Sequence, residues 1–152
     1  MIEVVPAKPS HVNTIANRMR SIDRYECGVF GHSPKSALRQ GLMSAAMAFT
    51  VLIDGRPEAM FGVTTISLFD STGRPWLLMT DEGGKSRRAL VRLGRLYTEG
   101  MQRHYSLLHN WVSAENDVTI RWLARLGYAI GGVEMIREHP MRAFIRCATP
   151  SR

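Results

Sequence analysis

The sequence predicts a single α/β domain, residues 1–152, built on a mixed sheet. Three observations carry that reading. The apolar residues repeat at helical spacing near the N-terminus, change to a period of two from Met47, and later return to helical spacing. The strand-like WLLMTD runs into Gly83-Gly84 and a second long helical pattern. Finally, LLHNWVSAENDVTIRWLARLGY (Leu107 to Tyr128) reads as a buried strand, an Asn at a helix start, an amphipathic helix and a glycine stop.

A chain of 152 residues can bury one sizeable core, and its 45% hydrophobic and 22% charged residues suit a soluble globular protein. No apolar run approaches the roughly 20 residues that cross a bilayer. MIEVVPAKP lacks a charged-then-apolar leader, so the expected setting is the cytoplasm. The two cysteines, Cys27 and Cys147, are too few for a disulfide framework and lack metal-ligand spacing with any histidine. They are expected to be free thiols, with no metal site.

IEVVPAK is a short strand, punctuated by Pro9-Ser10. Val12, Ile15, Met19 and Ile22 then predict one helix from His11 to about Glu26, broken by Gly28 and Gly31. Ser33-Pro34 opens a second helix, to about Ser44, with proline at its first position. Phe49, Val51 and Ile53 alternate along the next strand. Asp54-Gly55 marks a hairpin to EAMFGVTTISL, and the turn DSTGRP leads to WLLMTD. A helix from about Ser86 follows, with Leu90, Leu93, Tyr97 and Met101 on its apolar stripe and Arg88, Arg92 and Arg95 on another face. LLHNWVS, a helix from about Asp117 to Leu126, and two strands around GGVEMI and MRAFIRCA complete the chain.

Two crossovers suggest a site. A strand feeding Gly83-Gly84 and a helix start leaves backbone N–H groups pointing at one spot, where Lys85, Arg87 and Arg88 add positive charge suited to a pyrophosphate. In the second crossover, Asn116 caps a helix whose core face is Val118, Trp122, Leu123 and Leu126, ended by Gly127. The net charge of +7 and pI of about 10.1 suit a nucleic acid, an acidic protein surface or a polyanionic small molecule. No nucleic-acid recognition motif accompanies the charge, so that partner ranks last.

Asn116, Thr119, Leu126, Gly127 and Tyr128, within SAENDVTIRWLARLGY, match a signature of the GCN5-related N-acetyltransferase family, which the chain resembles over nearly its whole length. DRYE (Asp23 to Glu26) with NWVSAENDVTIRWLARLGY more narrowly resembles acetyltransferase-like proteins of tailed phages, some of them internal virion proteins. The resemblance implies a mixed, mostly antiparallel sheet of about six or seven strands, splayed at the middle, with about four helices. It implies acetyl coenzyme A as co-substrate, wedged between WLLMTD and LLHNWVS. The backbone of Leu78, Met79 and Thr80 would pair with the pantetheine arm. Gly83, Gly84, Lys85, Ser86 and Arg87 would correspond to the pyrophosphate loop, with Asn116 on the cofactor side of the second crossover. The implied reaction is acetyl transfer to an amine, such as a lysine or N-terminus of a host protein. Glu26 is the first candidate base, with His32 nearby, and His109 and Ser113 lie on the splayed strand.

Two departures from the family pattern motivate an alternative. The loop DEGGKSRRAL lacks the family's glycine spacing, and the position where many members place a proton-donating Tyr holds Leu123. The alternative is an acetyltransferase fold without turnover, serving as a phage structural or host-interaction protein. The basic helix face and the C-terminal strand leave homodimerisation open.

Overall fold

The computed structural model describes residues 1–149; residues 150–152, the end of the expected domain span, lie outside the described residues. In chain order the elements are β1 (Ile2–Pro6), a 3-10 turn (Pro9–His11), α1 (Val12–Ala16), α2 (Ser21–Val29), α3 (Pro34–Ser44), β2 (Ala45–Ile53), β3 (Arg56–Ser67) and β4 (Thr72–Met79). Then come α4 (Asp81–Gly84), α5 (Arg87–His104), β5 (Leu107–Ser113), α6 (Asp117–Arg125), β6 (Ala129–Ile136) and β7 (His139–Cys147). Hydrogen bonding orders the seven strands β1-β2-β3-β4-β5-β7-β6. The chain divides into two compact units: Met1–Thr64 with Trp76–Arg87, and Thr65–Pro75 with the chain from Arg88 onward.

In the first unit, Asp54 (φ 49°) and Gly55 (φ 81°) make the tight turn that joins β2 to β3 antiparallel. β1 adds to β2 from Ile2↔Ile53 to Pro6↔Phe49. Ser33 caps α3 by accepting the Ser36 N–H at 3.2 Å, with Pro34 at the first helical position as expected. The core gathers Val12, Ile15, Ala16, Met19, Cys27, Leu38 and Met60, with Trp76 and Leu78 of β4 packed against it. Ile15, Leu38 and Met60 are fully buried, each contributing about 1.5–3 kcal/mol of hydrophobic stabilisation.

The single helix expected from His11 to about Glu26 is two helices. Arg20 is extended (φ −56°, ψ 145°) and donates its N–H to Met79 O at 2.9 Å, while Met19 bridges Thr80. Arg24 then reaches back, its Nη2 donating to Ala16 O (2.9 Å) and its Nε to Met19 O (3.1 Å). A continuous helix would need those backbone groups for itself, so tertiary bonding to β4 overrides the apolar periodicity. Gly28 does not break the helix: α2 runs through it to Val29, and Gly31 (φ 81°) makes the stop. With the short α4 also present, the described residues form six α-helices, where about four were expected.

In the second unit β5 pairs antiparallel with β7 over seven positions, Leu107↔Cys147 to Ser113↔Met141, and β6 flanks β7. Leu108, Val112, Leu123, Leu126 and Met141 are buried, and Tyr128 packs edge-on against Phe144 with centroids 5.2 Å apart. β4 joins β5 in parallel through Thr72↔Leu107 and Gly73↔Leu108. Beyond those pairs stands Pro75, which has no N–H to offer a ladder, and its carbonyl accepts from Asn110 Nδ2 at 2.8 Å. A side chain thus takes over where the backbone ladder stops.

Arg24→Ala removes both bonds that tie α2 back to the end of α1. We expect about 1 kcal/mol lower stability in urea unfolding, given the partial exposure of the guanidinium. Lys at the same position should recover less than half of the loss, because an ammonium lacks the rigid planar fork that holds both carbonyls in fixed geometry.

Candidate functional site

The chemistry of the first unit concentrates where β4 ends. Glu58 on β3 is fully buried, a costly place for a charge unless it is paired. Its carboxylate accepts from Arg18 Nη2 at 2.7 and 3.0 Å, from Arg56 Nε at 2.6 Å, and from the Thr80 hydroxyl. Burial pushes its pKa up, but the bonds from Arg18, Thr80 and Arg56 outweigh that and hold it below the ordinary carboxylate value.

A second buried carboxylate, Asp23 on α2, meets the other side of β4. It accepts the Met79 N–H at 2.9 Å (Oδ2), while Arg20 clamps it through Nη2 (2.8 Å) and Nε (3.2 Å). Here burial dominates and raises the pKa, against the lowering effects of Arg20 and the Met79 amide. The same burial, with Asp23 and Glu26 nearby, pushes the Cys27 thiol up to about 12, which rules it out as a thiolate nucleophile at neutral pH.

These bonds bear on the expected cofactor residues. Met79 has its N–H on Asp23 and its carbonyl on the Arg20 N–H, and Thr80 donates its N–H to Glu58 O at 2.9 Å. Backbone groups alternate sides along a strand, so Met79 faces away from β3 and Thr80 faces towards it. Leu77 shares the outward side with Met79, and Leu78 packs its side chain into the core. The outward edge of β4 is therefore offered at Leu77. Of the three residues expected to face the pantetheine arm, Met79 thus has its outward N–H and carbonyl engaged by Asp23 and Arg20.

The glycine turn is also spent internally. Thr80 caps α4, its Oγ1 accepting from Gly83 N at 3.2 Å. Gly84 N donates to Thr80 O, Lys85 N to Glu82 O and Arg87 N to Lys85 O, all within 3.2 Å. Gly83 is glycine for packing reasons, since a Cβ there would lie 2.8 Å from Glu58 O. Lys85 Nζ pairs with Glu82 at 3.0 Å. The open cradle expected over Gly83, Gly84, Lys85, Ser86 and Arg87 is thus a closed helical turn preceded by two acids, Asp81 and Glu82.

In the second unit Asn116 caps α6 as expected, its Oδ1 accepting from Thr119 N at 3.3 Å. Ser113 is fully buried at the end of β5, and its Oγ accepts from Glu115 N at 3.3 Å, a turn-forming role. His109 is half-buried one residue past the last β4–β5 pair, its ring edge-on to Trp111 at 5.6 Å. Burial, then the charge of Arg74, lowers its pKa below 6.5, leaving a neutral imidazole at pH 7. Glu26 lies half-buried on α2, and His32 contacts Ser36 Oγ at 3.4 Å. The carboxylate that α2 delivers to β4 is Asp23, which sequence reasoning passed over. The Arg20-to-Asp23 spacing, one helical turn, was its only local signal.

No family model matches the sequence, and no curated protein does. Solved structures do match. The ribosomal-protein-S18-alanine N-acetyltransferase of Escherichia coli aligns over 100% of this chain and 97% of its own, with a TM-score of 0.71 at 13% identity. The chain has the GCN5-related acetyltransferase fold. Ard1 from Thermoplasma volcanium aligns over 98% of this chain and 99% of its own (TM-score 0.72, 13% identity). A ribosomal L7/L12 α-N-protein acetyltransferase, solved with coenzyme A, aligns over 96% and 93% (TM-score 0.65, 12% identity).

Asp23 gives a test of the site's electrostatics. A carboxylate whose folded pKa is raised above its ordinary 3.8 contributes stability below that value and loses it as pH rises through the folded pKa. Asp23→Asn keeps an acceptor for the Met79 N–H but cannot ionise. Urea midpoints of the two proteins should therefore diverge in the variant's favour as pH rises above 3.8. A divergence in favour of wild type would show that the Arg20 pair outweighs burial.

Proposed function

We propose that the chain is an acetyl-coenzyme A-dependent N-acetyltransferase acting on an amine of a protein. The observation that supports this most is the outward edge of β4 at Leu77, in a fold shared with an acetyltransferase solved with coenzyme A. The pantetheine arm pairs with Leu77, with Met79 held by α2 as the end-stop of that edge. Lys85 and Arg87 supply charge for the phosphates in place of a backbone cradle. Support for a protein amine as acceptor comes from the ribosomal-protein acetyltransferases among the structural neighbours. A host protein as acceptor, and a phage as the source, rest on the DRYE and NWVSAENDVTIRWLARLGY resemblance alone.

In this reading a neutral amine attacks the thioester carbonyl, the nitrogen loses a proton, and the coenzyme leaves as thiolate. Of the three candidate bases, His109 fits best, being neutral and half-exposed, while the Ser113 hydroxyl is buried in a turn. Glu26 is the second choice. Leu123 donates no proton, and a thiolate (pKa roughly 8.5) departs near neutral pH without one.

A second reading, the same fold binding partners without turnover, is favoured by the internal bonds of Met79, Gly83, Gly84, Lys85 and Arg87.

Calorimetry with acetyl coenzyme A separates the two, with no heat at millimolar ligand sinking the enzyme reading. Leu77→Pro deletes one outward N–H and, facing away from β3, leaves the inward ladder intact. It should weaken acetyl-coenzyme A binding roughly tenfold, the worth of one hydrogen bond, while the melting temperature stays close to wild type. For the base, thiol release against pH should fall only below 6.5, the ordinary histidine value, and His109→Gln should abolish that acid limb. Retention of the limb in the variant would move the role to Glu26.

A further inference from the structure

The stripe of α5 that faces solvent has no counterpart in this chemistry. Arg88, Arg92, Arg95, Leu96, Glu99 and Arg103 are all exposed, Leu96 to 62%. At 100° per residue they fall within an arc of about 100°, along a line of about 22 Å. Thr98 and Met101 turn the opposite face into the second unit. The helix carries five arginines against one acid, a large share of the chain's +7. Among the described residues no ion pair ties Arg88, Arg92, Arg95 or Arg103 to a carboxylate. Arg88, Arg92 and Arg95 follow one another at one-turn spacing, where like charges repel and destabilise the helix, so this end of the stripe costs folding energy that an external anion would return.

We propose that this stripe docks an acidic amphipathic helix of a partner protein, its Glu and Asp residues along the arginines and one apolar side chain against Leu96. Charge complementarity selects an anionic partner, and a straight row of about four turns matches another helix. Leu96 decides between polyanions. It stands one turn past Arg92 and two turns before Arg103, an apolar centre flanked by guanidiniums, which is the anatomy of a protein contact. A phosphate backbone has nothing to place on an exposed leucine. Arginine also forks to carboxylates with two parallel bonds, giving register along the row.

The test uses the full-length protein and three fluorescent probes: a helical peptide with Glu at one-turn spacing and one Leu, the same peptide with Ala for Leu, and a single-stranded oligonucleotide of equal charge. The Leu peptide should bind most tightly, with affinity falling as salt rises. Arg92→Glu with Arg95→Glu should weaken it roughly tenfold or more by turning two attractions into repulsions. Leu96→Ser should bring the Leu and Ala peptides to equal affinity. Because all three positions are exposed, circular dichroism should show unchanged folding. Equal binding of the two peptides to wild type, tighter binding of the oligonucleotide, or no binding at 50 mM salt (Debye length about 14 Å) would each overturn the proposal. Coenzyme A affinity, measured alongside, stays unchanged in these variants, so failure here is distinct from failure of the acetyltransferase reading.

Discussion

An ionised carboxylate stripped of water has to be surrounded by donors, and Glu58 organises the first unit by recruiting them from three separate stretches of chain. Arg18 comes from the segment after α1, Arg56 from the start of β3, and Thr80 from the end of β4. The Glu58 carbonyl meanwhile accepts the Thr80 N–H and lies so close to Gly83 that no Cβ fits between them. Each donor covers part of a carboxylate that burial would otherwise leave unpaired, so the three stretches are held to one point. The end of β4 is therefore fixed from the β3 side before α2 meets it.

From the opposite side, Asp23 and Arg20 complete the grip. Two carboxylates with opposite pKa tendencies thus hold one strand end: Glu58, surrounded by guanidiniums, is pulled down, and Asp23, dominated by burial, is pushed up. The engagement of Met79 follows from this clamp rather than from anything in β4 itself, since residues 76–79 are uniformly apolar and extended.

Much of the fold was legible because it is written in local chemistry. Ser33-Pro34, Asp54-Gly55, Asn116 and the strand alternation each act within a few residues, and each stands where expected. The break at Asn17–Arg20 was hidden, because the apolar spacing is the same for one helix or two and the cause lies on β4, some sixty residues away. The conformation of the glycine turn was hidden for a related reason. Gly83 looks identical in sequence whether it opens space for a phosphate or for a carbonyl of β3, and only the packing distinguishes them. Likewise the burial of Asp23 and Glu58 comes from tertiary structure and not from their sequence neighbours.

The division of the chain has a consequence for how the protein can be taken apart. Each unit is assembled from two separate segments, and the boundaries fall inside β3, between Thr64 and Thr65, inside β4, between Pro75 and Trp76, and at the start of α5, between Arg87 and Arg88. No single cut in the polypeptide releases either unit whole and alone, because a fragment holding all of the first unit also carries Thr65–Pro75 and one holding all of the second also carries Trp76–Arg87. Deletion mapping of this protein from either end would remove parts of a unit together with its support. Function is better dissected by circular permutation with new termini at an exposed turn such as Asp54-Gly55, which preserves every strand.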